Sequence, residues 1–113
     1  MGSYQVRKSR GLDQQTSVPM VDGVRRKNLV YGENTLMAQF ALDRGSHLPF
    51  HKHPHEQTGY LLKGKIQMII EGESHELSSG DAWCIPGNVE HEVNVLEDTT
   101  LVEVFSPVRA DFI

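Results

Sequence analysis

The chain has 113 residues, 38% of them hydrophobic, which is enough for the core of one compact domain but not of two. Its 11 basic and 15 acidic residues give a formal net charge of −4, which argues against nucleic acid as a partner. No apolar run is long enough to cross a bilayer, so we expect no membrane partner. The lone cysteine, Cys84, excludes an internal disulfide and a thiolate metal site, and it fits a cytoplasmic protein.

The first part of the chain differs in composition from the rest. Residues 1–22 are rich in Ser, Gln, Arg and Gly, and they show no sustained period of 2 or 3.6 residues. The sequence therefore predicts a flexible arm or an edge strand over residues 1–22 and one folded domain over residues 23–113. An edge strand near Met20 to Tyr31 could also pair with its copy in a homodimer.

From Val24 onward, short apolar runs alternate with turn residues. Every second residue of the segment 36–42 is apolar, as in a half-buried strand. Gly64 and the segment 71–73 are placed like the turns of two hairpins. Further turns at 80–81, 86–88 and 97–98 would separate strands at 82–85, 91–95 and 100–105. No stretch has the pattern of a three-turn amphipathic helix, and the even spacing of short strands indicates a β-sandwich or a closed barrel.

Four of the six histidines lie in the segment 47–55. In an extended segment, residues i and i+2 project to the same side, so His51 and His53 can bind one ion, and Gln57 returns on that face in the next strand. His91, which follows the turn at 86–88, would supply a third imidazole. Three imidazoles and one oxygen donor suit one divalent transition metal ion such as zinc, nickel, manganese, iron or copper.

At several positions a simpler interpretation competes with a role in binding a metal ion or a ligand. Histidine pairs with this spacing also arise by chance in histidine-rich loops. We expect His47 and His75 to be solvated surface residues. Pro54 interrupts the strict alternation, so His55 cannot be placed in the same way. Trp83 is expected to pack in the core rather than to contact a ligand.

Two blocks of the sequence resemble the cupin motifs. The pattern G-x5-H-x-H-x3-Q-x6-G in residues 45–64 is similar to the first motif, with glutamine in place of its glutamate. Residues 80–91 resemble the second motif, although Asn88 stands where a glycine is usual and the closing asparagine is shifted to Asn94. The resemblance implies an all-β fold, a double-stranded jelly-roll β-barrel that is usually dimeric and holds a metal ion in its interior.

A closer resemblance lies in the run 53–57 and in the tail 105–113. Both are similar to the small pectin-degradation cupins, which convert unsaturated monouronates into linear ketonates. In that group an acidic residue, a phenylalanine and an arginine of the last strand serve the active site, and they fall on Glu103, Phe105 and Arg109. The resemblance thus implies Glu103 and Arg109 as catalytic residues and Phe105 and Arg109 as substrate-binding residues. The acidic residue is usually aspartate, and Glu103 is one methylene longer.

The glutamine changes the chemistry of the expected metal site. Three imidazoles and the neutral amide of Gln57 would leave both positive charges on a divalent ion, which favours anionic ligands. We therefore expect a metal-dependent enzyme that acts on an unsaturated uronate or a similar sugar acid. Arg109 would bind the carboxylate and Glu103 would move a proton. Two alternatives remain open: a module that binds a sugar or small anion without reaction, and a cupin dioxygenase.

Overall fold

The computed structural model describes residues 4–13, 15 and 17–113. The predicted arm, residues 1–22, lies partly outside these ranges. Its described part contains a short helix, α1 (Ser9–Asp13), which the sequence did not indicate, and an edge strand. The strands, in chain order, are β1 (Val18–Pro19), β2 (Val24–Tyr31), β3 (Leu36–Leu42), β4 (His47–His51), β5 (Glu56–Ile70), β6 (Glu73–Ser78), β7 (Ala82–Ile85) and β8 (His91–Ser106). A 3₁₀ helix, Ala110–Phe112, follows β8.

The all-β prediction is confirmed. Every strand pair is antiparallel, and the strands form one eight-stranded sheet in the order β1-β2-β3-β8-β5-β6, with β4 beside the first part of β8 and β7 beside the first part of β5. Among the described strands this sheet is not closed, whereas the strand pattern left a sandwich and a closed barrel open and the cupin resemblance implied a jelly-roll β-barrel. The arrangement is consistent with a jelly roll. None of the helices in the described ranges has the length and apolar character needed to span a membrane.

Two of the predicted turns are wrong. Gly64 lies inside β5 and residues 97–98 lie inside β8, and these two long strands pair with each other along most of their length. The register of this pairing shifts around residues 63–65. Gly64 has a φ of 110°, and a Cβ there would lie 2.4 Å from the carbonyl oxygen of Asp98. The glycine therefore forms a bulge that bends the paired strands rather than a turn that reverses them.

The remaining predicted turns and the alternation in β3 are confirmed. Turns at residues 71–72, 79–80 and 87–88 separate consecutive strands. In β3 the side chains of Leu36, Ala38, Phe40 and Leu42 are buried on the inner face of the sheet, where they join apolar residues of β5 and β8. The inner face therefore carries the hydrophobic core, and polar side chains gather at one end of it.

Replacing Gly64 by alanine is expected to lower the free energy of unfolding by about 1–3 kcal/mol, because alanine tolerates the positive φ poorly and its Cβ would collide with the β8 backbone. Chemical denaturation would measure this loss. Gly32→Ala is the matched control, since a Cβ at Gly32 has no atom within 4 Å and its φ is not in the positive region. Equal losses in the two variants would contradict the role of the bulge.

Candidate active site

Three histidine side chains meet at one end of the inner face. His51 ends β4, His53 lies in the loop before β5, and His91 begins β8, where it pairs with His51 in the ladder. The ring centroids of His51 and His91 are 4.1 Å apart, and those of His53 and His91 are 5.4 Å apart. One potential ligand atom from each residue lies within 4.8 Å of the others. The structure thus brings together His51 and His53, which the spacing predicted to lie close together, and His91, which was predicted as the third imidazole from its place after the turn at 86–88.

A backbone carbonyl two residues away orients each of these rings. The Nδ1 contacts are 2.8 Å from His51 to Pro49, 3.0 Å from His53 to His55 and 2.9 Å from His91 to Val89. A carbonyl oxygen can only accept, so Nδ1 carries the hydrogen and the lone pair is on Nε2. Nε2 of His53 and of His91 is buried and has no hydrogen-bond partner among the described residues.

Gln57 lies at the same end of the inner face as the histidines. It lies near the start of β5, is only 4% exposed, and donates a hydrogen bond from Nε2 to Oε2 of Glu103. This bond sets the orientation of the amide, and Oε1 is left buried without a partner in the described part of the chain. Unpaired buried polar atoms are rare, and a cluster of them indicates a missing ligand. Nitrogen and oxygen donors without thiolate fit a divalent transition metal ion.

The buried imidazoles are held in the form that binds a metal. Burial lowers the pKa of His53 to about 4, and the positive charge of Arg109 acts in the same direction. Burial also lowers the pKa of His91. Both rings are therefore neutral near pH 7, so a metal ion would not have to displace a proton from them.

Glu103 lies beside Gln57 on the inner face of β8. Its Oε2 accepts hydrogen bonds from Gln57 Nε2 and, at 2.9 Å, from Trp83 Nε1. Burial raises the pKa of Glu103 to about 7, although the two hydrogen bonds and the charge of Arg109 partly oppose this shift. A carboxyl group with a pKa near neutrality can both take up and release a proton.

Arg109 provides a positive charge near Glu103. Its guanidinium lies over the rings of Phe105 and Phe112, at 5.0 and 4.1 Å from their centroids. Nε and Nη2 donate to the two carboxylate oxygens of Asp111 at 3.2 and 2.7 Å, which lowers the pKa of Asp111. Nη1 makes no hydrogen bond to any described residue, so its hydrogens are available to an anion in the cavity.

The 3₁₀ helix that carries Phe112 is held against β2. The carbonyl oxygen of Phe112 accepts hydrogen bonds from Asn28 at 2.7 Å and from Arg26 at 3.4 Å. The guanidinium of Arg26 also lies 3.8 Å from the centroid of the Phe112 ring. Arg26 is 9% exposed, and burial lowers its pKa. Arg26 and Arg109 therefore both make cation–π contacts with the Phe112 ring.

Most of the site residues line a cavity that opens to solvent. A mostly apolar cleft with a few convergent polar groups is typical of a small-molecule site. The polar lining residues lie at the end that holds the histidine cluster, and most of the other lining residues are apolar. The apolar lining residues include Phe40, Leu42, Leu48, Met68, Val93 and Leu101.

Most of the sequence-predicted residues meet in or beside this cavity. His51, Gln57, His91, Glu103, Phe105 and Arg109 line it, and His53 lies beside it. His47 and His75 do not line it. Trp83 packs against the core as predicted, but it also lines the cavity and its indole N–H donates to Glu103, neither of which the sequence indicated. The contributions of Arg26 and Phe112 were also missed, because they depend on contacts between segments far apart in the chain.

Comparison with known proteins places these residues in a family. The sequence matches the cupin domain family over residues 38–106, a range that contains the histidine cluster, Gln57 and Glu103. It is 36% identical over 94 residues to the pectin degradation protein KdgF of Dickeya dadantii (strain 3937), with 81% of this chain and 86% of that protein covered.

Two solved structures agree with this assignment. KdgF from Halomonas sp. superimposes with a TM-score of 0.85 at 31% identity, over 89% of this chain and 95% of that chain. An RmlC-like cupin from Shewanella frigidimarina NCIMB 400 gives a TM-score of 0.85 at 26% identity, over 89% of this chain and 91% of that chain. The chain therefore belongs to the cupin family, among the relatives of the pectin degradation protein KdgF.

Proposed function

We propose that this chain is a metal-dependent enzyme that converts an unsaturated uronate, or a similar small sugar acid, into a linear keto acid. One observation carries the proposal: imidazole nitrogens and an amide oxygen that have no hydrogen-bond partner among the described residues lie in or beside one cavity with the carboxyl group of Glu103 and the guanidinium of Arg109. The imidazole nitrogens and the amide oxygen fit a metal ion. The carboxyl group fits proton transfer, and the arginine fits the binding of an acid. Similarity to pectin degradation proteins supports the substrate class.

His51, His53, His91 and Gln57 would hold one divalent transition metal ion such as Zn, Ni, Mn or Fe. None of the four side chains is an anion, so both positive charges of the ion would remain to attract an acidic substrate. When bound, such an ion polarises a carbonyl or carboxylate oxygen and stabilises negative charge on it.

Arg109 would bind the carboxylate of the substrate through its Nη1 side, while Asp111 holds the other edge of the guanidinium. Phe105 would contact the substrate where it lies between the Arg109 guanidinium and the histidine cluster. Its ring lies 5.0 Å from the Arg109 guanidinium and 5.9 Å from the ring of His53. A small anion that contacts Phe105 would therefore reach both ends of the site.

Glu103 would move the proton. In a cyclic 4,5-unsaturated uronate, the ring oxygen joins C5 of the double bond to the hemiacetal carbon C1. Opening removes the hydrogen of the C1 hydroxyl, breaks the bond from C1 to the ring oxygen and adds a proton at C4, so that C1 and C5 both become carbonyl carbons. No atom is gained or lost overall. One carboxyl group that first accepts and then donates a proton is therefore sufficient, and Glu103 has the pKa for it.

Protein loaded separately with zinc, nickel, manganese or iron is expected to accelerate the loss of ultraviolet absorbance of an unsaturated monouronate, because ring opening removes the conjugated double bond. Protein treated with a chelator should lose this activity and regain it when the metal ion is returned. Saturable binding without loss of absorbance would indicate a binding module, and oxygen uptake with a polyphenol or a thiol would indicate a dioxygenase. Failure with all four metals would reject the proposal.

The other expectations from the sequence stay predictions. They are a homodimer, a cytoplasmic location, and no nucleic acid or membrane partner. Size-exclusion chromatography with light scattering would test the first of these.

A further inference from the structure

Glu103, Gly59 and Trp83 lie side by side on three neighbouring strands. Gly59 of β5 pairs with Glu103 of β8 on one side and with Trp83 of β7 on the other. Adjacent strands are about 4.8 Å apart, so the backbones of Glu103 and Trp83 are separated by roughly 10 Å. A side chain on the intervening residue would normally separate the two groups. Gly59 has none, and a Cβ there would lie 2.1 Å from the indole of Trp83.

The indole therefore crosses over Gly59, and its Nε1 donates a hydrogen bond of 2.9 Å to Oε2 of Glu103. Gln57 donates to the same oxygen. No described residue donates to Oε1 of Glu103, and Glu103 lines the cavity. The two donors thus hold one carboxylate oxygen against the sheet and leave the other available to a ligand.

Packing alone does not explain this arrangement. A phenylalanine ring would cover Gly59 as well as an indole does, but only the indole carries a hydrogen-bond donor. That donor extends from β7 across β5 to Glu103 of β8. Displacing a catalytic group by about 1 Å can lower a rate by about 100-fold, so a donor that fixes the position of a carboxylate has a large effect on turnover.

We propose that Trp83 is a positioning residue, for which Gly59 makes room, and that its indole N–H fixes the carboxylate of Glu103 so that one defined oxygen faces the substrate. This inference rests on the proposed function, because it requires Glu103 to act on the substrate. Trp83 itself acts through Glu103 and not on the reacting atoms.

The kinetic test uses Trp83→Phe in the metal-loaded protein. This variant keeps a ring over Gly59 and removes the donor, so kcat is expected to fall about 10- to 100-fold while KM and metal content stay close to those of the parent. In a Glu103→Ala background the same substitution should have no further effect, because no carboxylate is left to position. An equal loss in both backgrounds would show a merely structural role and overturn the inference, as would an unchanged kcat in Trp83→Phe.

A second measurement needs neither substrate nor a folded Trp83 variant. Trp83 is the only tryptophan in the chain, so the protein has a single indole N–H resonance. In the metal-loaded parent this hydrogen should exchange with solvent at least about tenfold more slowly than in Glu103→Ala, because the hydrogen bond must break before exchange. Glu97→Ala, an exposed glutamate on the same strand, is the control and should leave the resonance unchanged. Equal exchange in the parent and Glu103→Ala would overturn the inference.

The two measurements separate the inference from the proposed function. If the parent opens uronates and Trp83→Phe does so equally well, the function stands and the positioning role is rejected. If the parent has no activity with any metal while the indole N–H is protected by Glu103, the proposed function fails. The positioning role then fails with it, and the hydrogen bond remains as a structural contact.

Discussion

Replacing His91 by alanine is expected to lower the affinity for divalent transition metal ions by more than about 100-fold. Even residues that only support a metal ligand contribute about 10- to 100-fold to affinity, and His91 would be a direct ligand through a buried Nε2 that has no partner among the described residues. His51→Ala should give a loss of similar size. Titration of metal-free protein in competition with a chromophoric chelator would measure both.

His47→Ala and His75→Ala are matched controls, because they remove the same side chain from positions that do not line the cavity. Both variants should bind metal ions as tightly as the parent. Thermal unfolding of each metal-free variant would show whether the substitution has disturbed the fold. If folded His91→Ala and His51→Ala retained the affinity of the parent, the histidine cluster would not be a metal site and the proposed chemistry would lose its basis.

Replacing Glu103 by glutamine is expected to lower kcat by about 100- to 10,000-fold, the range typical for loss of a general acid or base. Glutamine has nearly the same shape as glutamate but cannot take up and release the proton. The measurement is the ultraviolet assay with metal-loaded protein at saturating uronate. Metal content should stay close to that of the parent, because the side-chain oxygen of the new glutamine can still accept the hydrogen bond that orients Gln57.

Two further substitutions sharpen this result. Glu97→Gln changes an exposed glutamate on the same strand and should leave kcat unchanged. Glu103→Asp retains the acid but withdraws it by one methylene from the donors on Gln57 and Trp83, so an intermediate loss is expected. A kcat for Glu103→Gln equal to that of the parent would show that another group moves the proton.

Local patterns in the sequence were sufficient where a short segment determines the structure. The period of two in β3 predicted which side chains are buried, and the His-x-His spacing predicted that His51 and His53 lie close together. His91 was also identified, since the motif around the turn at 86–88 places it at the start of a strand. These features depend on backbone geometry over a few residues, which the sequence encodes directly.

Features that depend on long-range strand pairing could not be predicted in this way. A glycine with positive φ fits a hairpin turn and a bulge equally well, and only the pairing of β5 with β8 shows that Gly64 is a bulge. The contact from Trp83 to Glu103 likewise requires the register of three strands, because Gly59 must lie between them. The burial of Arg26 against Phe112 likewise depends on a contact between segments far apart in the chain.

The stacking of Arg26, Phe112 and Arg109 has a consequence for how such proteins diversify. The histidines and Gln57 are supplied by β4, β5, β8 and the loop between β4 and β5, whereas Arg109 is steadied by Phe112 and, through it, by Arg26 and Asn28 of β2. Substitutions in β2 can therefore shift the guanidinium while the histidines stay in place. On the proposed function, preference for one acid over another would in this way evolve separately from the chemistry of the metal site.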